Sequence, residues 1–478
     1  MYSYTQYSRL RADLESGVCT CRSLVEACLS AAETHKDLNA FLEIYADEAR
    51  SRADELDAQL QQGHNPGRLA GMVVALKDVI CHKDHEVSAS SKILKGFKSL
   101  YNATVTERLL KEGAIIIGRT NCDEFAMGAS NENSAFGPVR NAIDPTRVPG
   151  GSSGGSAVAV QAGMCHAALG SDTGGSIRQP AAFTGTVGLK PTYGRISRWG
   201  LLAYASSFDQ IGPMTRTVAD AALLLEVLAG ADDHDATCSS APVDSYTQAL
   251  EAEVPPSLRI AYLGDALDHP GLDPEIRERC LSVFERLRNE GHQVEAVSFP
   301  YLDYMVPCYY VLTTAEASSN LSRYSGLTYG YRSPAANDLD STFKRSRSEG
   351  FGPEVKRRIM LGTFVLSSDF YDAYYSKAQK VRRVIRDKTH ALLEAYDFLL
   401  LPTTSTPPFK MGEKASDPIA MYLADLFTVQ ANIAGNPAIS IPAGTNAAGL
   451  PFGMQVMAAN FKEASMLHFS DYLSRLMH

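Results

Sequence analysis

The sequence has no Cys-x-x-Cys pair, no basic surplus and no apolar run long enough to span a membrane, and each absence removes a class of protein. Its nine cysteines, Cys19, Cys21, Cys28, Cys81, Cys122, Cys165, Cys238, Cys280 and Cys308, are scattered and odd in number, which argues for a reducing compartment. Acidic residues outnumber basic ones, 54 to 45, so the surface repels a phosphate backbone and any contact with nucleic acid is expected through a partner. The opening "MYSYTQYSRL" lacks the basic start and apolar core of a signal peptide. Together these read as a soluble cytoplasmic chain with no membrane contact. Internal repeats and long low-complexity segments are missing too.

What is present is ample material for a core: 45% of 478 residues are hydrophobic and 21% charged. Residues 4–62 space their apolar positions at helical intervals, as in "SLVEACLSAAETH" and "ADEARSRADELDAQL". From about 68 onward short apolar runs such as "GMVVALKDVI", "AIIIGRTN" and "HAALGSD" alternate with helical stretches. That alternation predicts an α/β fold with a mixed, largely parallel central sheet covered by helices on both faces. A polar connection, "GADDHDATCSSAPVDS", leads into a second strand and helix series. Residues 304–396 are largely helical, with one long helix expected over "SSDFYDAYYSKAQKVRRVIRDKTHALLEAY", and the final strands return to the sheet. The expected division is 1–65, helices packing on the core; 66–240, a core carrying the Gly-rich loops; 241–400, a more helical part; and 401–478, a return to the sheet with a closing helix.

Two small-residue turns stand out. "PGGSSGGSAVAV" (149–160) carries Ser152, and 24 residues later "SDTGGSIRQP" carries Ser176 behind two glycines. A phosphate loop would need Lys-Ser or Lys-Thr after its last glycine, and Ser156-Ala157 stands there. A linker would not lead straight into an apolar helix. The glycines before Ser176 let the N–H groups of Thr173, Gly174, Gly175 and Ser176 converge on one point, as an oxyanion requires. Either stretch alone also fits an ordinary Gly/Ser turn.

A serine nucleophile needs a base, and histidine is scarce here. His166 follows an apolar run and reads as a packed or surface residue; His82 and His85 lack a third ligand at useful spacing, so no metal is expected. Lys77 ends the apolar "GMVVALKD" and would carry its amine inward, where burial disfavours the charge. A lone lysine at a strand end also fits a snorkelling surface residue.

Lys77, Ser152 and Ser176 within "GGSSGGSAVAVQAGMCHAALGSDTGGSIRQPAAFTGTVGLKPTYG" closely resemble the amidase signature family. The resemblance implies a Ser, cis-Ser, Lys triad with Ser176 as nucleophile, Ser152 as the bridge and Lys77 as base and acid; Ser153 is the neighbour for a supporting hydrogen bond. Further stretches, among them "TNCDEFAMGAS", "AEASSNLSRYSGLTYGYR" and "PIAMYLADLFTVQANIAGNPAISIP", resemble the family's tRNA-dependent amidotransferase branch. That branch implies hydrolysis of free glutamine, with ammonia passed to a tRNA-binding kinase/transferase subunit that uses ATP and Mg, a further small subunit, and no cofactor in this chain. It also implies Arg358 on the substrate α-carboxylate, Asp425 on the α-ammonium, and Tyr309 beside them, with Arg357 and Tyr310 as alternatives one residue away. The rival expectations are a stand-alone amidase acting on another carboxamide and a non-catalytic scaffold subunit.

Overall fold

The apolar runs become strands because they are buried on both faces, where only a paired backbone satisfies its N–H and C=O groups. The computed structural model describes residues 6–414 and 421–477. The expected helix start at residue 4 and residues 418–420 of the "PIAMYLADL" stretch lie outside the described residues. The strands are β1 (Phe41–Ile44), β2 (Val73–Lys77), β3 (Ile115–Thr120), β4 (Ala167–Asp172), β5 (Val187–Lys190), β6 (Gln210–Thr215), β7 (Arg259–Leu263), β8 (Gln293–Val297), β9 (Phe398–Pro402), β10 (Ala438–Thr445) and β11 (Pro451–Met457). They form one eleven-stranded sheet in the order β1-β3-β2-β4-β6-β5-β10-β11-β9-β7-β8.

The sheet is mixed, as expected, but less parallel than the strand and helix alternation suggests. Parallel pairing is confined to β2 with β3 and β4, and to β7 with β8 and β9. The middle of the sheet is antiparallel, because β10 and β11 turn back on each other through Asn446–Leu450 and β6 lies against both β4 and β5. Residues 241–400 contribute β7 and β8 at the far edge, and β9 to β11 carry the chain back to the centre.

Three helices, Tyr7–Glu15, Cys21–Thr34 and Ala46–Gln61, form the N-terminal clasp. Asp57 caps the second by accepting the N–H groups of Cys21 and Arg22 at 2.7 and 3.0 Å. The clasp also holds the four-residue β1, which pairs with β3 through Phe41, Glu43 and Ile44 and was not foreseen: a run that short has no readable period. The long helix expected over 367–396 starts at Tyr371 with a π turn, Tyr371–Ser376, that runs directly into the regular helix Lys377–Ala395. Among the described residues no helix is long and apolar enough to cross a membrane.

Candidate active site

Lys77 is the last residue of β2 and is completely buried, since the strand that ends in it is apolar and covered on both sides. Its Nζ donates to Ser152 Oγ at 2.7 Å, Ser153 Oγ at 2.9 Å and Ser171 Oγ at 2.9 Å. Burial pushes its pKa down to about 8, against the pull of Cys122, Asp123, Asp172 and Asp209 nearby. These three hydroxyls are not equivalent. Ser153 gives its own proton to the Ser171 carbonyl at 3.2 Å, so toward Lys77 it can only accept. Ser152, at the shortest distance, is the hydroxyl placed to return a proton to a neutral amine.

The first Gly-rich turn hands Ser152 to this point. Gly150 adopts φ +82°, and the Gly151–Ser152 peptide bond is cis. Gln179 Oε1 accepts the Gly151 N–H at 2.8 Å, and the helix Gly154–Gln161 leads away. The second turn lies alongside, joined by the Ser153 N–H donating to the Ser176 carbonyl at 3.2 Å. Ser176 is 8% exposed, and its hydroxyl bonds to none of the described residues.

Glycine is required at two positions here: a Cβ on Gly174 would sit 2.5 Å from the Tyr309 ring, and one on Gly175, at φ +130°, would sit 2.2 Å from Thr428 Oγ1. In the expected nest of four N–H donors, one member is already engaged. The Gly175 N–H is taken by Asp172 Oδ1 at 2.9 Å and is spent on the fold. Asp172 also takes Ile177 and Arg178, which leaves Thr173, Gly174 and Ser176 as candidate donors.

At the other end, helix Pro353–Val365 turns Arg358 inward and Arg357 outward. Arg358 is 3% exposed; its Nε donates to Glu354 Oε1 at 2.8 Å and its Nη1 to the Tyr204 hydroxyl at 2.9 Å. The guanidinium carbon lies 5.1 Å from the Tyr310 ring centre and 5.6 Å from that of Tyr422. Its Nη2 bonds to none of the described residues, and a cavity of about 270 Å³ opens beside it, lined by Ser130, Asn133, Arg358 and Tyr422 among others. Asp425 is buried, receives the Tyr310 hydroxyl at 3.2 Å, and has its pKa raised to about 7 by burial, an effect that Arg358 opposes. The two neighbouring tyrosines divide the work: Tyr309 packs on Gly174, and Tyr310 reaches Asp425.

The Amidase family model matches residues 23–467. This chain belongs to the amidase family.

Among relatives of this amidase, the glutamyl-tRNA(Gln) amidotransferase A-subunit of Chlorobium phaeobacteroides is 51% identical over 464 residues, covering 97% of each chain. A crystal structure of the glutamyl-tRNA(Gln) amidotransferase A-subunit from Thermotoga maritima superposes with a TM-score of 0.77 at 39% identity, covering 94% of this chain and 90% of that one. A structure tied to the origins of an s-triazine catabolic enzyme reaches 0.86 at 30% identity, covering 98% and 97%.

Beneath the amidase turns lies a group that reading the sequence missed. Arg178 and Asp172 are fully buried and joined by two hydrogen bonds at 2.9 and 3.0 Å; Arg178 also reaches Asn432 Oδ1, the Thr428 carbonyl and Gln455 Oε1. The pair holds Asp172 well below the usual carboxylate range. Its signal was an Asp two residues ahead of a glycine pair, in position to cap the turn. The histidines stay outside the chemistry. His166 Nδ1 accepts the Val73 N–H at 3.0 Å, and burial lowers its pKa to about 4; His82 stacks on His85, whose Nε2 meets Glu48 at 2.9 Å.

Proposed function

We propose that this amidase is the glutamine-hydrolysing subunit of a tRNA-dependent amidotransferase. The observation that carries the reading is a fully buried Lys77 amine 2.7 Å from Ser152 Oγ, on the turn that backs Ser176. A pKa near 8 leaves about one Lys77 in ten uncharged at neutral pH, enough to serve as a base. As Ser176 Oγ bonds to the amide carbon, its proton passes to Ser152 Oγ while Ser152 gives its own to Lys77 Nζ. The N–H groups of Thr173, Gly174 and Ser176 face the oxyanion, with Asp172 keeping the turn in shape. Lys77 then returns the proton by the same path to the leaving nitrogen, and ammonia departs. Water attacks the glutamyl ester with the relay running again, and glutamate is released.

Glutamine is favoured over an uncharged amide by the far end of the site. Arg358 offers an unbonded Nη2 edge to an α-carboxylate, and Asp425 offers a carboxylate to an α-ammonium. The ammonia serves a partner subunit that binds tRNA and uses ATP and Mg to activate misacylated Glu-tRNA(Gln) or Asp-tRNA(Asn), within an assembly that has a further small subunit. This fits a cytoplasmic protein with no cofactor of its own. Replacing Ser176 by Ala is expected to lower glutamine hydrolysis by at least about 10³-fold with the thermal midpoint unchanged. Glutamate release that survives the substitution would overturn the assignment.

A further inference from the structure

We propose that Asp209 and Tyr204 form a positioning unit that ties the clamp for the substrate carboxylate to the turn that receives the oxyanion, so that the site measures the length of its amide substrate. This deepens the glutaminase reading and rests on it. Asp209 is 2% exposed and bonded at both oxygens: Oδ1 accepts the Thr173 hydroxyl at 2.6 Å and the Ala205 N–H at 3.1 Å, and Oδ2 accepts the N–H groups of Tyr204 at 2.9 Å and Ala205 at 3.0 Å. One carboxylate therefore grips the first residue of the Thr173–Ser176 turn and the backbone of Tyr204. Burial raises its pKa only to about 6, so at neutral pH it is an anion that can accept every one of these bonds.

Tyr204 carries the connection onward, and the direction of each proton is fixed. The Tyr309 carbonyl can only accept, so Thr313, whose hydroxyl lies 2.8 Å from it, must donate there. Tyr204 must then donate to Thr313 Oγ1 at 2.9 Å and accept from Arg358 Nη1 at 2.9 Å. This leaves one polar arrangement, running from the arginine to the tyrosine whose backbone Asp209 holds. The same chain closes on the turn a second time, because the ring of Tyr309 lies against Gly174, next to Thr173. Clamp and turn are thus spaced by buried, fully committed groups. A substrate one methylene shorter than glutamine cannot fill both ends at once.

The test uses the full chain assembled with its partner subunits and compares L-glutamine, L-asparagine and butyramide, which has neither charged group. Every partner of Asp209 is a donor, so Asp209→Asn must turn its own NH₂ toward one of them. It is expected to lower kcat for glutamine about 30-fold with KM within about threefold, and to narrow the preference for glutamine over asparagine. Tyr204→Phe is expected to raise KM for glutamine about tenfold while leaving butyramide unaffected. The double variant should lose less than the product of the two losses, since both cut one tie. Should Asp209→Asn fold poorly, Thr173→Val removes only the hydroxyl given to Asp209 and should lower kcat about fivefold with the same narrowing. An unchanged glutamine to asparagine ratio, or losses that multiply, would overturn the tie. Wild-type protein that hydrolyses butyramide as well as glutamine would instead overturn the glutaminase reading beneath it.

Discussion

Lys77 and Arg358 are both buried cations of the proposed site, yet their surroundings differ in kind. Lys77 meets three hydroxyls and, among the described residues, no carboxylate within ion-pair distance, whereas Arg358 holds Glu354 at 2.8 Å amid the rings of Tyr204, Tyr310 and Tyr422. Hydroxyls compensate desolvation only in part, so Lys77 gives up its proton near neutrality and can act as a base. A carboxylate and three π faces keep Arg358 charged, which suits it to binding. The same burial thus makes a reactive group at one end and a fixed charge at the other.

Exchanging the roles breaks the comparison most sharply. Lys77→Met should lower kcat for glutamine by at least about 10³-fold with little change in KM, while Arg358→Ala should raise KM about 100-fold with a smaller effect on kcat. Steady-state kinetics on the two variants separate these outcomes, and a shared kcat defect would erase the distinction. Arg178→Leu probes a third buried cation, one that serves the scaffold. It strands the Asp172 carboxylate, and denaturant unfolding should show a loss of about 3–5 kcal/mol.

The pH dependence of kcat/KM sharpens the contrast further. Lys77 must be neutral, so activity falls as pH drops through about 8; Asp425 must be ionised, so a second loss begins below about 7 and the limb steepens to two protons. Tyr310→Phe removes a hydrogen bond that favours the Asp425 anion. It should move the lower break upward by less than about one unit and leave the upper one in place. A profile with a single break would contradict the separate roles of the two groups.

The relay end was the more legible in sequence, for a physical reason. Close approach of backbones demands glycine, and "GGSSGG" and "DTGGS" announce it; an apolar strand ending in lysine announces a buried amine. At the clamp end, "EVKRRI" reads equally well as a solvated helix face, and only the family resemblance pointed to Arg358; helical phase in the folded protein separates it from Arg357. Arg178 and Tyr204 escaped notice because their side-chain partners lie far away in the chain, as Arg178 with Gln455 does at a separation of 277 residues, while Asp172 and Asp209 mostly bind neighbours within six residues through backbone N–H groups, which composition alone does not flag. The bond from the Gly175 N–H to Asp172 is local, three residues apart, and the Asp ahead of the glycine pair was its overlooked signal. β1 was lost to its brevity, and the antiparallel centre of the sheet to pairings that strand and helix alternation does not encode.

The most direct check on the account is the ionisation of Lys77 itself, followed by NMR of side-chain-labelled lysine in the intact protein with Lys77→Met used for assignment. A midpoint near 8 is the predicted result, well under the value of about 10.4 for a solvated lysine. A Lys77 that holds its proton to pH 10 would contradict the proposed base.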